Sequence, residues 1–161
     1  MKSSTILIRK ALLEDAPAIA EVHVRSWQST YRGLVRESYL ANLSVNEKSE
    51  LWKKFLEDEK RVTFVAEDEA GGIVGFISGG PERRGRPYFS GELYAVYVLE
   101  DFQRKGLGLR LMAAMKQKFL TLGLKSALVE VLKGIPACRF YEKLGAKLIF
   151  GARRPDRRRV F

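Results

Sequence analysis

Apolar and polar residues alternate along the chain in a way that predicts strands and helices in a mixed order. Short runs rich in β-branched and aromatic residues are typical of strands. The predicted strands are residues 6–9, 62–66, 73–77, 92–98, 127–132 and 147–150. The arginine-rich residues after 150 leave room for one further, very short strand. The run 92–98 is apolar on both faces, which predicts a central strand.

Four segments place apolar residues three and four positions apart, as amphipathic helices do. They are residues 16–33, 44–58, 106–123 and 135–144. Asp15 stands where it can cap the first helix, and Ser44 with Glu47 forms a capping box for the second. Gly123 and Gly145 follow the last two segments, where glycine commonly ends a helix.

The element order is therefore β-α-α-β-β-β-α-β-α-β over a single domain, residues 1–161. Hairpins come first and a β-α-β crossover comes later. That order predicts an α/β (α+β) fold with a mixed sheet and helices on both faces.

Composition bears on membrane spans, secretion, disulfides and metal binding. No apolar run approaches the ~18 residues of a membrane span, and residues 6–8 are too short for a signal-peptide core. The one cysteine, Cys138, excludes an internal disulfide and fits a reducing, cytoplasmic setting. One histidine and one cysteine give no ligand cluster, so we expect no metal.

The net charge of +10 indicates a polyanionic ligand or partner. The cations cluster at residues 83–86, 104–110 and 153–159. No basic helix with interleaved aromatic residues and no nucleic-acid motif accompanies them. A nucleic-acid-binding protein is therefore kept only as the alternative interpretation.

The middle cluster contains two glycines at the junction between a strand and a helix, in the stretch QRKGLG, residues 103–108. A helix N-terminus presents unpaired N–H groups, and glycines there let an anion reach the backbone. The stretch fits neither the Walker pattern nor the dinucleotide fingerprint. It indicates either a phosphate cradle or a tight turn rimmed by solvated cations.

A wider resemblance favours the cradle. The stretch 103–108, placed after LYAVYV, resembles the first signature of the GNAT superfamily of acyl-CoA-dependent N-acetyltransferases. ACRFYEKLG, residues 137–145, resembles the second signature, and SWQSTYRGL, residues 26–34, is similar to many small members. The resemblance implies a mostly antiparallel sheet that splays between strands 4 and 5.

The resemblance also implies acetyl-CoA as co-substrate. Its pyrophosphate would lie on the main-chain N–H groups of residues 104–110, and its pantetheine arm would lie along residues 96–98 like an added strand. The residues assigned to the cofactor are Val96, Tyr97, Val98, Gln103, Arg104, Lys105, Gly106, Leu107, Gly108, Leu109 and Arg110.

Catalytic roles come from the resemblance in the same way. Tyr141 would protonate the departing sulfur, the alternative being a core aromatic residue. Glu92 would be the general base, the alternative being a solvated carboxylate at a strand end, and Glu130 is a second candidate. Trp27 and Tyr31 would line the acceptor pocket, although packing explains them equally well. We expect His23 to be a packed or cleft-lining residue rather than a catalyst, and Cys138 to be a small apolar filler rather than an acyl-carrying nucleophile.

The predicted function is direct transfer of an acetyl group from acetyl-CoA to a primary amine, either a small molecule or a peptide. A homodimer is consistent with the resemblance. An acyl-CoA sensor without catalysis is a further alternative on the same fold.

Overall fold

A computed structural model describes residues 5–86, 88–131 and 136–146. In these ranges the strands are β1 Leu7–Lys10, β2 Val62–Glu67, β3 Ile73–Pro81, β4 Gly91–Val98 and β5 Ala127–Val129. The helices are α1 Ala16–Thr30, α2 Glu37–Ala41, α3 Val45–Glu57, α4 Leu107–Thr121 and α5 Pro136–Lys143. None of these helices has both the length and the apolar character needed to cross a membrane.

The sheet confirms the predicted mixed topology. Its strand order is β1-β2-β3-β4-β5, with antiparallel pairs up to β4 and a parallel β4–β5 pair after the α4 crossover. The β2–β3 hairpin turns at Gly71 and Gly72, between the two predicted strands, and Gly71 adopts a φ of +85°. The Asp68 carboxylate accepts hydrogen bonds from the N–H groups of Ala70 and Gly72 in this turn.

Two predictions of local structure near β3 and α1 are wrong. Residues 78–81 belong to β3 rather than to a loop, because their glycines allow close approach to neighbours. A Cβ on Gly79 would lie 2.9 Å from the Glu92 carbonyl oxygen, and one on Gly80 would lie 2.7 Å from that of Lys60. Asp15 precedes α1 without capping it, since its carboxylate binds the Arg9 guanidinium and the Leu12 N–H.

Other boundaries differ by a few residues. The first helix ends at Thr30 rather than near Gly33, and the short helix α2 lies in the predicted loop that follows. β5 ends at Val129 rather than at residue 132. The predicted strand 147–150 and the arginines at 153–159 lie outside the described residues.

The core lies on both faces of the sheet, as predicted. Adjacent residues of β3 mark the two faces: Gly79 approaches Met115 and Phe119 of α4, whereas Gly80 approaches the Tyr94 hydroxyl. On the Tyr94 side, the ring of Trp52 from α3 packs against Phe76 of β3 at 4.9 Å.

β4 and β5 diverge after three paired residues. The last pair is Leu93 with Val129. A bulge follows at once, because Leu93 pairs with Gly79 and Ala95 pairs with Ser78, which leaves Tyr94 as the extra residue. Beyond it, residues 94–98 of β4 have no partner in β5 among the described residues. Pairing thus stops where the predicted splay would begin, and this edge of β4 has no partner strand among the described residues.

Candidate active site

The loop between β4 and α4 is fixed by its own residues. The Gln103 side chain donates a hydrogen bond of 2.9 Å to the Val98 carbonyl oxygen, which holds the loop to the end of β4. Arg104 and Gly106 adopt φ values of +61° and +80°. Glycine enters this left-handed region without steric cost, whereas arginine rarely does. The two left-handed residues turn the chain sharply into α4.

This turn exposes a row of backbone donors. Among the described residues, the N–H groups of residues 104–109 donate no hydrogen bond, and Arg110 is the first to donate, to the Gly106 carbonyl oxygen at 3.1 Å. Unpaired N–H groups at a helix N-terminus carry partial positive charge, and left-handed turns gather such groups into a concavity for anions. The exposed side chains of Arg104 and Lys105 add two positive charges.

The remaining residues of this loop have packing roles. The Arg110 guanidinium donates to the Ile6 carbonyl oxygen at 2.7 Å and so ties α4 to the chain just before β1. Leu107 is buried in the core, and the Leu109 side chain is exposed. A Cβ on Gly108 would lie 3.1 Å from two ring carbons of Phe140, so this glycine lets α4 and α5 approach each other closely.

Three buried tyrosines lie at the opening between β4 and β5. Tyr97 belongs to β4, Tyr141 to α5, and Tyr31 directly follows α1. Tyr31 packs in a cluster with Val131 and Cys138, at the far side of the opening. Burial raises the pKa of all three hydroxyls, and their mutual repulsion raises those of Tyr97 and Tyr141 further. At neutral pH all three are therefore protonated and able to donate.

Two side chains here have unused hydrogen-bonding capacity. The Trp27 Nε1–H and the Tyr31 hydroxyl are buried and make no hydrogen bond of normal geometry within the described residues. Their rings lie 4.6 Å apart. An unsatisfied buried polar group costs about 1–3 kcal/mol. Both groups nevertheless lie close to the Tyr97 hydroxyl, whose pKa they influence, so the three side chains form one polar cluster at this place.

Glu92 is buried and ion-paired. Its carboxylate is 2% exposed and receives the Arg83 guanidinium in bidentate fashion, with Nη2–Oε2 and Nε–Oε1 distances of 2.6 and 3.2 Å. The alternative of a solvated carboxylate at the strand end is therefore wrong. Because Arg83 occupies both oxygens, an amine reaches Glu92 only when the guanidinium moves or a water bridges them.

Glu130, the second candidate base, is bound in a similar way. Its Oε1 accepts from Arg84 Nη1 at 2.7 Å and from Arg86 Nη2 at 2.8 Å. The basic segment 83–86 thus uses three guanidinium groups on two carboxylates, one on β4 and one just after β5. Sequence patterns gave no sign of these pairs, because they join residues that are distant along the chain.

His23 has the packing role predicted for it. Its Nδ1 accepts a hydrogen bond of 3.1 Å from Trp52 Nε1, and its ring stacks on Tyr97 at 5.4 Å. Burial lowers its pKa to about 3, with smaller contributions from Lys48 and Arg61. The imidazole is therefore neutral at pH 7. No group of His, Cys, Asp and Glu side chains in the described ranges is arranged to hold a metal ion.

Known proteins share this fold and sequence pattern. The pattern of the Acetyltransferase (GNAT) family matches residues 22–146. The chain is 39% identical over 137 residues to YuaI, an uncharacterised N-acetyltransferase of Bacillus subtilis (strain 168), across 85% of this chain and 78% of that protein.

Solved structures agree at the level of fold. PaiA N-acetyltransferase from Thermoplasma acidophilum, in complex with coenzyme A, has a TM-score of 0.80 and 22% identity, with 92% of this chain and 94% of that chain covered. Ribosomal-protein-alanine N-acetyltransferase from Brucella melitensis biovar Abortus 2308 has a TM-score of 0.66 and 16% identity, with 92% and 96% covered. The family match over most of the chain, together with the splayed strands and the donor-rich loop, shows that the chain belongs to the GNAT family of acetyltransferases.

Proposed function

We propose that the protein moves an acetyl group from acetyl-CoA to a primary amine by direct attack. The observation that carries this proposal is the row of unused N–H groups at residues 104–109, which lies beside the open edge of β4. A diphosphate fits the first feature and an extended amide chain fits the second. Coenzyme A contains both, and it is the molecule bound to the PaiA relative.

Binding follows from the geometry of the loop. The N–H groups of residues 104–109 would donate to the pyrophosphate oxygens, with Arg104 and Lys105 adding charge from the rim. The pantetheine arm would lie along residues 96–98 and pair with the strand edge as an added strand does. The thioester would then reach the opening near Tyr97 and Tyr141. A β4 N–H group within residues 96–98 would stabilise the oxyanion.

Transfer forms one bond, breaks one bond and moves two protons, and a third proton from solvent then restores Tyr141. The amine nitrogen bonds to the thioester carbon, the carbon–sulfur bond breaks, and Tyr141 donates its hydroxyl proton to the departing thiolate. Burial raises the pKa of Tyr141, so its hydroxyl is protonated at neutral pH and donates only to the strongly basic thiolate that forms beside it. The amine loses its proton to a base, and solvent returns a proton to the tyrosinate.

We assign the base to Glu92 acting through a water molecule, because Arg83 contacts both carboxylate oxygens. The same ion pair is the observation that favours the sensor alternative. In a sensor Glu92 would stay paired and no amine would be acetylated. The two functions share the cofactor site and differ in turnover.

Coenzyme A release across a panel of primary amines tests the proposal. We expect Tyr141→Phe to lower turnover about 100-fold, a loss typical for a general acid, with acetyl-CoA affinity unchanged by calorimetry. Tyr88→Phe, which alters an exposed tyrosine, is the matched control. Unchanged turnover in Tyr141→Phe removes that residue from the mechanism. Acetyl-CoA binding without release for any amine supports the sensor.

A further inference from the structure

Arg61 is a partly buried cation in an aromatic setting on the α3 side of the sheet. Its guanidinium carbon lies 3.8 Å from the ring centroid of Phe55, 4.7 Å from Tyr94 and 5.3 Å from Trp52. Its Nε donates to the Ser78 hydroxyl at 2.8 Å. These contacts hold the guanidinium in one place and leave its two terminal nitrogens without a hydrogen bond among the described residues.

No carboxylate balances this charge. None of the ion pairs among the described residues includes Arg61. Asp58 and Glu92 attract it only from a greater distance, and burial together with Arg83 outweighs them, so that its pKa falls to about 10. Buried charges in proteins are almost always paired. The guanidinium, which has no ion-pair partner among the described residues, is therefore able to bind an anion.

A second guanidinium lies beside the first. Arg83 lies over the ring of Tyr94 at 3.9 Å, so both arginines contact the same aromatic side chain. Arg83 is already paired with Glu92. Two guanidinium groups thus lie on one aromatic side chain of β4.

The position suits an acceptor. Tyr94 is the bulge residue at which β4 leaves β5, and the donor-rich loop 104–109 follows the opposite end of β4. A cofactor held by that loop would enter the opening from the C-terminal end of β4. An amine that attacks the thioester would approach from the N-terminal part of β4, where Arg61 and Arg83 contact Tyr94.

We propose that Arg61, with Arg83 beside it, binds a carboxylate of the acceptor, so that the substrate is an amino acid or a similar small amine bearing a carboxylate. This inference rests on the proposed acetyl transfer. A polycationic amine would bring ammonium groups toward two guanidinium groups, which costs binding energy. The net charge of +10 also favours an anionic substrate over a cationic one.

Matched acceptors test the carboxylate directly. Coenzyme A release is measured with a free amino acid, with its carboxamide, and with an aspartyl carboxamide whose only carboxylate is on the side chain. We expect kcat/KM to be at least tenfold higher for the two carboxylates than for the neutral amide. The ratio between the two carboxylates shows whether the anion is the α-carboxylate or a side chain. An amide acetylated as fast as both carboxylates overturns the inference and leaves the acetyl transfer standing.

Substitutions test whether Arg61 causes the preference for carboxylate acceptors. In Arg61→Gln the preference for the carboxylate should disappear while acetyl-CoA affinity and activity toward the amide remain. Arg25→Gln, an exposed arginine of α1, is the control and should keep the preference. A preference that survives in folded Arg61→Gln contradicts the assignment of Arg61. The comparison of acceptors in the unaltered protein stands even if Arg61→Gln fails to fold.

A binding measurement separates this inference from the proposed function. An N-acetyl amino acid and its amide are titrated into the protein with coenzyme A present. Tighter binding of the acid, lost in Arg61→Gln, supports the anion site even if no amine gives turnover. Equal binding of acid and amide overturns it.

Discussion

The tyrosine hydroxyls show what single residues contribute to the site. The sequence pattern assigned Tyr141 to the departing sulfur, and the structure places Tyr31 and Tyr97 in electrostatic contact with it. These three side chains come from α5, the end of α1 and β4. Only the folded chain brings them together, so their grouping could not be predicted from spacing.

The ion pairs of the segment 83–86 also could not be predicted from the sequence. The segment 83–86 indicated a basic cluster, yet its arginines bind Glu92 and Glu130. Glu92 lies at the start of β4 as predicted, and the alternative of a solvated carboxylate is wrong, whereas its role as a base stays a prediction. Burial and ion pairing depend on contacts across the sheet, which residue type alone does not determine.

His23 gives a prediction on pH at the residue scale. Its folded-state pKa of about 3 lies below the ordinary value of 6.5, so the unfolded chain binds its proton first as pH falls. The stability contributed by neutral His23 is complete above about pH 6.5 and declines below it, by up to about 1.4 kcal/mol per pH unit. Urea unfolding from pH 7 to pH 4 measures this slope.

His23→Gln is the control, because glutamine offers an oxygen to Trp52 Nε1 and does not titrate. The variant should lose stability less steeply than the unaltered protein over the same range. If the free energy of unfolding falls equally with pH in the two proteins, burial of His23 does not contribute to the pH dependence of stability.

At the level of elements, hydrophobic periodicity predicted the helices and strands better than it predicted their ends. The helix from Gly106 and the β2–β3 hairpin match their predictions because local signals specify them. β3 was predicted too short, because Gly79 and Gly80 were read as loop residues and instead admit neighbouring backbone and the ring of Tyr94. The bulge at Tyr94 has no sequence signal of its own.

The contact between α4 and α5 gives a prediction at this scale. Gly108→Ala would place a methyl group 3.1 Å from the Phe140 ring, so the ring has to shift to admit it. The overpacking cost of about 1–3 kcal/mol in the free energy of unfolding opposes the gain of about 1 kcal/mol that alanine brings to a helix. Phe140→Leu in the same chain makes room for the methyl group. The cost of Gly108→Ala should therefore be smaller in the Phe140→Leu background, as chemical denaturation can show. Equal costs in the two backgrounds would mean that the helices do not meet at this glycine.

For the whole molecule, the charge now has a more specific interpretation than it had in the sequence. Part of the positive charge stabilises the fold, as the pairs of Arg9 with Asp15 and of Arg83 with Glu92 show. Arg104 and Lys105 lie exposed at the donor-rich loop, and Arg61 has no ion-pair partner among the described residues. This distribution favours small anionic ligands over a continuous nucleic-acid surface.

The central claim is that backbone N–H groups of residues 104–109 hold the pyrophosphate of acetyl-CoA. Leu109 allows a direct test, because its side chain is 54% exposed and its N–H is unused within the described structure. Leu109→Pro removes this N–H in the first helical turn, where proline is tolerated. Leu109→Ala keeps the N–H and also removes the leucine side chain. The two variants therefore differ mainly in one backbone donor.

Calorimetric titration of acetyl-CoA into both variants is the deciding measurement. A hydrogen bond to a charged group contributes about 1.5–3 kcal/mol, so Leu109→Pro should bind roughly 10- to 100-fold more weakly than Leu109→Ala. Leu109→Ala should bind as tightly as the unaltered protein. Equal affinity in the proline and alanine variants, with both folded, would show that the pyrophosphate is held elsewhere and would contradict the account.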